Sequence, residues 1–218
     1  MKEYGVFDII GPIMIGPSSS HTAGAARIGQ VAISIVKDGF TRVDFHLHGS
    51  FAQTYKGHGT DKALLAGVLG FRPNDKRLRD SFKIADEAGI TYNFIPQDMG
   101  EVHPNTVKIV LYYPDGHEFK LRGSSIGGGN IMINQIMDNE VEYNGKNPTI
   151  ICTYPEQKGM IAFISNVLFD HNYNIKNMKT INKGNTIMLI VELDQDLEEE
   201  VYKEIEAGKN FEFIKYLG

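Results

Sequence analysis

The stretch 149-TIICTYPEQKGMIAFISNVLFDHN-172 decides the fold of the C-terminal part of the chain. Its first six residues are an apolar, β-branched run, the signature of a strand. Pro155 and Gly159 interrupt that run. Ile161, Ile164 and Leu168 then recur at i, i+3 and i+7, the spacing of one helix face. Further on, 174-NIKNMKTIN-182 and 186-TIMLIVELD-194 read as two strands joined by a hairpin turn at Lys183-Gly184-Asn185. Asp196 stands where it can cap a helix carrying Leu197, Val201 and Ile205. Glu199 occupies the capping-box position and Gly208 the C-terminal stop. A last strand, 211-FEFIKYL-217, closes the chain. The order βαββαβ predicts a ferredoxin-like plait over residues 148–218.

Upstream, 138-DNEVEYNGKNPT-149 is polar and carries Asn-Gly and Asn-Pro, which are turn signals. It predicts a linker, and so a first domain over residues 1–140. That domain reads as α+β. A helix is predicted from about Ser20 to Asp38, with Ala25, Ile28, Val31 or Ala32, and Ile35 as its apolar stripe. In the strand 41-TRVDFHLHG-49, Val43, Phe45 and Leu47 face one way and Asp44, His46 and His48 the other. Helices are predicted over 59–71 and 75–89, and strands over 91–96, 106–114 and 117–123. Asp115-Gly116 joins the last two as a hairpin.

The 218 residues suit one large or two modest domains. The composition, 42% hydrophobic and 22% charged, is that of an ordinary globular protein. A net charge of −5 argues against a nucleic-acid backbone as partner. No apolar run approaches the roughly 20 residues that span a bilayer. The opening MKEYGVFDII lacks the long apolar core of a signal peptide. The expectation is a cytoplasmic protein. Cys152 is the single cysteine, so this chain alone builds neither a disulfide nor a cysteine-only metal site.

Four clusters in the first domain carry unusual residues. In 15-IGPSSSHTAGAAR-27, Ser18, Ser19 and Ser20 are N-cap candidates, and three hydroxyls exceed what one cap needs. Free N–H groups at that helix start favour a carboxylate or phosphate. His21 and Thr22 follow in the first turn. In 49-GSFAQTYKGHGTDKA-63, Lys56, His58 and Asp61 lie close together between a strand and a helix, with His58 between two glycines. In 103-HPNT-106, His103 is held extended by Pro104, and Asn105 follows. In 124-SSIGGGN-130, Gly127, Gly128 and Gly129 permit a backbone nest for an anion. Its spacing matches neither a Walker loop nor a dinucleotide fingerprint. Each cluster has a plain alternative: a capped helix, a solvated loop, a Gly-rich hinge. Together they suit binding and deprotonation of a small anion. His46 and His48 read as a solvent-facing pair, and His117 and His171 as structural. A Ser–His hydrolase ranks last, because no Gly-x-Ser-x-Gly elbow is present.

Residues 7–29, 49–70, 103–106 and 125–130, taken in order, resemble the beta chain of the iron–sulfur-dependent L-serine dehydratases. The first domain also resembles the allosteric substrate-binding domain of some phosphoglycerate dehydrogenases. Residues 148–218 resemble an ACT domain. The dehydratase resemblance implies conversion of L-serine to pyruvate and ammonia. It implies a [4Fe–4S] cluster ligated by a separate alpha chain as partner, with no metal ligand in this chain. Proton transfer then falls to His21, His58 or His103. Substrate binding falls to Ser18–Ser20, Thr22, Lys56, Asp61, Asn105 and Gly127–Gly129. The ACT resemblance implies a site for a small-amino-acid effector, L-serine being one candidate, at Glu156, Gly159, Met160, Asn172 and Asn174, and a homodimer is expected through the ACT or N-terminal domain. Tyr154 stands before Pro155 where that family often has an acid. The competing reading is a non-catalytic regulatory subunit that senses serine.

Overall fold

The computed structural model describes residues 13–36 and 39–218. The chain divides into two compact units, Met1–Asn144 and Gly145–Gly218. Each is a mixture of α and β structure, in keeping with the expected class.

In the first unit a π turn, Ser19–Gly24, runs into helix α1, Ala25–Ile35. Strand β1 (Arg42–Leu47) is followed by α2 (Gly49–His58), α3 (Thr60–Val68), a 3₁₀ turn (Lys76–Asp80) and α4 (Ser81–Glu87). Then come β2 (Thr91–Pro96), β3 (Thr106–Tyr112), β4 (Glu118–Gly127), β5 (Asn130–Ile136) and β6 (Asn139–Tyr143). They form one sheet in the order β2-β1-β3-β4-β5-β6. Only the β1–β2 pair is parallel, so the crossover between those strands carries the helices.

Glycines set how closely the helices approach one another and the sheet. A Cβ on Gly67 of α3 would lie 2.3 Å from the Ala26 carbonyl oxygen, and one on Gly29 of α1 would lie 2.7 Å from the Leu64 carbonyl oxygen. Backbone therefore meets backbone where α1 crosses α3. A Cβ on Gly123 would meet Ile133 and Ile28, which seats α1 on β4 and β5. Ile28, Leu64, Leu65, Leu121 and Ile133 are fully buried there.

In the second unit, β7 (Thr149–Pro155), α5 (Met160–Asp170), β8 (Ile175–Lys183), β9 (Thr186–Leu193), α6 (Glu199–Gly208) and β10 (Phe213–Leu217) follow in that order. The sheet, all antiparallel, runs β10-β7-β9-β8. Ile150, Cys152, Leu189 and Val191 meet Ile164, Leu168, Val201 and Ile205 in one apolar cluster. Gly184, at φ 62°, makes the β8–β9 hairpin that the sequence marks.

Several local expectations are corrected. The stretch 49–58, read as a loop, is the helix α2. Gly49 (φ 54°) lets it start tightly against Pro104, and Gly59 (φ 70°) ends it in a left-handed cap. The helix expected over 75–89 is a 3₁₀ turn followed by the short α4. The presumed linker from residue 138 contains β6, with Val141 and Tyr143 buried, and the division falls after Asn144. Strand β4, expected to end at Gly123, continues through Ser124 and Ser125 to Gly127, where the glycine run opens the hairpin to β5. Asp196 does not cap α6. Glu198 is its N-cap residue, and Asp196 accepts the Tyr216 hydroxyl at 3.1 Å. Gly208 is the last helical residue rather than the stop, and it leaves room for the Phe163 ring. Asp44 is buried rather than solvent-facing, held by Arg42 at 3.1 Å and Asn93 at 2.8 Å. The expected end of the first helix at Lys37 and Asp38, and the motif residues 7–12, lie outside the described residues.

Two glycines give opposite expectations. Gly67→Ala destabilises the chain by about 1–3 kcal/mol or more, because the neighbour it meets is backbone. Gly57→Ala, inside α2 with nothing within 4 Å, stabilises it by about 0.5–1 kcal/mol. Urea titrations of both variants check the pair.

Candidate active site

The site is built where the π turn meets the end of α2. Ser18 sits in extended backbone (φ −140°, ψ 126°), and its hydroxyl accepts the His21 N–H at 3.1 Å. That cap starts the turn. The wide π geometry, often found at functional sites, carries His21 towards α2. His21 Nε2 lies 3.1 Å from Ser50 Oγ, and its Nδ1 lies 3.4 Å from Ser18 Oγ. The His21 ring stands edge-on to Phe51 with centroids 5.3 Å apart, and 4.9 Å from the His58 ring. Gly24 fixes this arrangement, since a Cβ there would lie 2.0 Å from Ser125 Oγ on β4. The half-buried Ser19 and Ser20 hydroxyls make no hydrogen bond to another described residue, which leaves them available to a ligand.

Hydrogen-bond partners assign the imidazole tautomers. His58 Nδ1 lies 3.4 Å from the Thr54 carbonyl oxygen, which only accepts. Nδ1 therefore carries the proton in the neutral ring and Nε2 keeps its lone pair. His103 has the opposite arrangement. Its Nδ1 accepts the Asn105 N–H at 3.1 Å, so in the neutral ring Nε2 bears the proton and donates. His58 thus has the form of a base and His103 that of a donor. Thr22, buried, donates to the His58 carbonyl oxygen at 3.4 Å and ties the π turn to the α2–α3 junction.

Charge is tuned by burial. Desolvation, and then the charge of His58, push the His21 imidazole below its ordinary range. Burial pushes the Asp61 carboxyl up, opposed by the Lys62 N–H that it accepts at 2.8 Å and by the Lys62 and Lys56 charges. Lys56 is exposed beside Tyr55, its ammonium 5.7 Å from the ring centroid.

The other expected residues fall into separate places. No hydrogen bond or ring contact among the described residues joins His103 to His21 or His58. Asn105 accepts the Ser125 N–H at 2.9 Å, beside the strand that Gly24 packs on. Gly127, Gly128 and Gly129 all have positive φ and form the β4–β5 turn. Arg27 of α1 donates to the Gly129 carbonyl oxygen at 2.9 Å, and Asn130 to that of Gly127 at 3.2 Å. In the second unit Gly159 (φ 87°) opens α5, Met160 is packed in the core, and Asn172 is left-handed at φ 60°. Glu156 N–H donates to the Asn185 carbonyl oxygen at 2.8 Å, and the Asn174 carbonyl oxygen accepts Asp194 N–H at 3.4 Å. Sequence reasoning missed Ser50 and Thr54. They stand eight and four residues before His58, on the same helix face, a spacing that becomes informative once 49–58 is known to be helical.

Stability should follow these shifts. Between the lowered folded value of His21 and its ordinary 6.5, the unfolded chain binds more protons, so stability falls as pH falls through this window. His21→Gln flattens that acid-side slope. Asp61 has the opposite sign: its raised folded value makes stability fall as pH rises above 3.8. Asp61→Asn therefore raises the unfolding midpoint at neutral pH and loses that gain in acid. Urea midpoints across pH measure both.

Comparison with known proteins identifies the family. A family model described as serine dehydratase beta chain matches residues 5–88. The L-serine dehydratase beta chain of Peptoniphilus asaccharolyticus is 46% identical, over 100% of this chain and 99% of that one. The probable L-serine dehydratase beta chain of Bacillus subtilis (strain 168) is 43% identical over 96% of each. L-serine dehydratase 1 of Escherichia coli (strain K12) is 31% identical, over 71% of this chain but 40% of that protein. The chain belongs to the L-serine dehydratase beta chain family.

Proposed function

We propose that this chain is the beta subunit of an L-serine dehydratase and supplies substrate-binding and proton-transfer groups to an active site completed by an alpha chain. The observation that carries the reading is the imidazole pair His21–His58, 4.9 Å apart, beside uncommitted serine hydroxyls. Eliminating water from L-serine requires a base for the α-proton and a proton for the departing hydroxyl. His58 Nε2, with its proton held on Nδ1 by Thr54, is the base. Desolvation, and then the neighbouring His58 charge, disfavour protonation of His21. His21, bonded to Ser50 and Ser18, and the Ser19 and Ser20 hydroxyls orient the substrate.

A [4Fe–4S] cluster is not held by these residues. It takes about three or four thiolates, and this chain has one thiol. Cys152 is fully buried in β7, where burial pushes it up to about 12. Among the described residues no group of three or more His, Cys, Asp or Glu converges. The cluster in this reading belongs to the alpha chain. The E. coli relative supports that division, since most of its length lies outside the match to this chain.

The βαββαβ order of the second unit and its sheet order β10-β7-β9-β8 support reading it as a ferredoxin-like plait. We assign it as an ACT module that pairs with a second copy and takes an effector at the Glu156–Met160 loop and Asn172–Asn174. No helix of the described residues is long and apolar enough to cross a membrane, which agrees with a cytoplasmic enzyme.

Anaerobic mixing with the alpha chain tests the proposal. Pyruvate should form from L-serine only when both chains are present, and His21→Ala should lower turnover about 100-fold or more. Serine binding by this chain, with turnover insensitive to His21, would instead make it a regulatory sensor.

A further inference from the structure

A cleft of about 180 Å³ opens beside His58. Its walls come from the Gly16-Pro17 turn and Thr22, from the α2–α3 junction with His58 and Lys62, and from the 3₁₀ turn with Leu78 and Arg79. No carboxylate lines it, although the chain has 27 acidic against 22 basic residues. Several other cations are paired: Arg77 with Asp75 at 2.6 Å, Lys120 with Glu118 at 2.9 Å, Lys203 with Glu199 at 2.6 Å. Among the described residues neither Lys62 nor Arg79 has a carboxylate within 4.0 Å. Lys62 is half-buried, and its ammonium lies 6.0 Å from the Phe82 ring centroid. A half-buried cation with no carboxylate in ion-pair range, at the wall of a cleft, suits an anion, although the adjacent Asp61 feels its charge. The volume lies below the roughly 300–1,000 Å³ of drug-sized pockets, so the anion is small.

We propose that Lys62 and Arg79 form the seat for the carboxylate of a small amino acid, with the rest of the molecule reaching towards Thr22 and His58. The inference rests on the dehydratase reading, in which that acid is L-serine, and it places the carboxylate away from the glycine turn at 127–129. The guanidinium fork suits a carboxylate bidentately, and the ammonium supplies a point charge.

The test uses the assembled two-chain enzyme. Lys62→Met and Arg79→Met should each raise KM for L-serine about 10-fold or more, as expected for loss of a charge-assisted hydrogen bond, while kcat changes far less. Lys62→Arg should restore part of the loss. Lys76→Met, on the same 3₁₀ turn but outside the cleft, should leave KM unchanged. Wild-type KM in both cleft variants overturns the seat while pyruvate formation leaves the dehydratase reading standing. If the unaltered pair makes no pyruvate, that reading fails, and acetate titration of the full chain decides the seat separately. Saturable shifts of the Gly59 and Lys62 amide resonances, lost in either cleft variant, uphold it; no saturable shift overturns it. The same titration decides if a variant fails to assemble.

Discussion

Contact between backbones without intervening side chains is the constraint on which the first unit depends. Gly29 and Gly67 let α1 and α3 cross backbone to backbone, and Gly24 lets the π turn lie directly on Ser125 of β4. Any side chain at these points would separate the elements. The consequence reaches the chemistry: the π turn that carries His21 runs directly into α1, and α3 begins just after His58. The distance between the two imidazoles is therefore set by helix packing, not by loop conformation. A site built on packed elements holds its geometry more closely than one built on loops.

Within that frame, hydrogen bonds differentiate chemically identical side chains. Thr54 gives His58 a free Nε2 lone pair, and the Asn105 amide gives His103 a proton at Nε2. His21, half-buried between Ser18, Ser50 and Phe51, is pushed below its ordinary range by burial and by the His58 charge. Residue type alone made these three histidines interchangeable as candidates. Their partners separate them into a base, an orienting group and a donor.

Legibility in the sequence followed the strength of periodicity. The second unit was readable because Ile164 and Leu168 repeat at helical spacing between β-branched runs, although Met160 rather than the exposed Ile161 completes the buried face, and because Gly184 marks the hairpin. Helix α2 was not readable. It buries one large apolar residue, Phe51, and carries Gly49 and Gly57 with Gly59 beyond, so neither stripe nor composition marks it. Strand β5 buries Ile131, Ile133 and Ile136, and the irregularity between Ile133 and Gln135 breaks the alternation that would have marked it. Strand β6 is short and polar on its open face. The clusters at His21 and His58 were visible as motifs, whereas Ser50 and Thr54 acquire meaning only on a helix. The Lys62–Arg79 cleft joins residues from separate elements, and nothing in their local sequence links them.

The one thiol of the chain lies in a β core, and the residues suited to proton transfer lie on the other unit. This separation matches a subunit that handles protons and substrate while a partner handles metal. The most direct measurement is the deuterium isotope effect on kcat/KM with L-serine labelled at the α-carbon, in the assembled enzyme and in its His58→Gln variant. The account predicts that the variant loses about 100-fold or more in kcat/KM and shows a larger primary isotope effect, because removal of the α-proton has become the slow step. Unchanged kcat/KM with an unchanged isotope effect would contradict it.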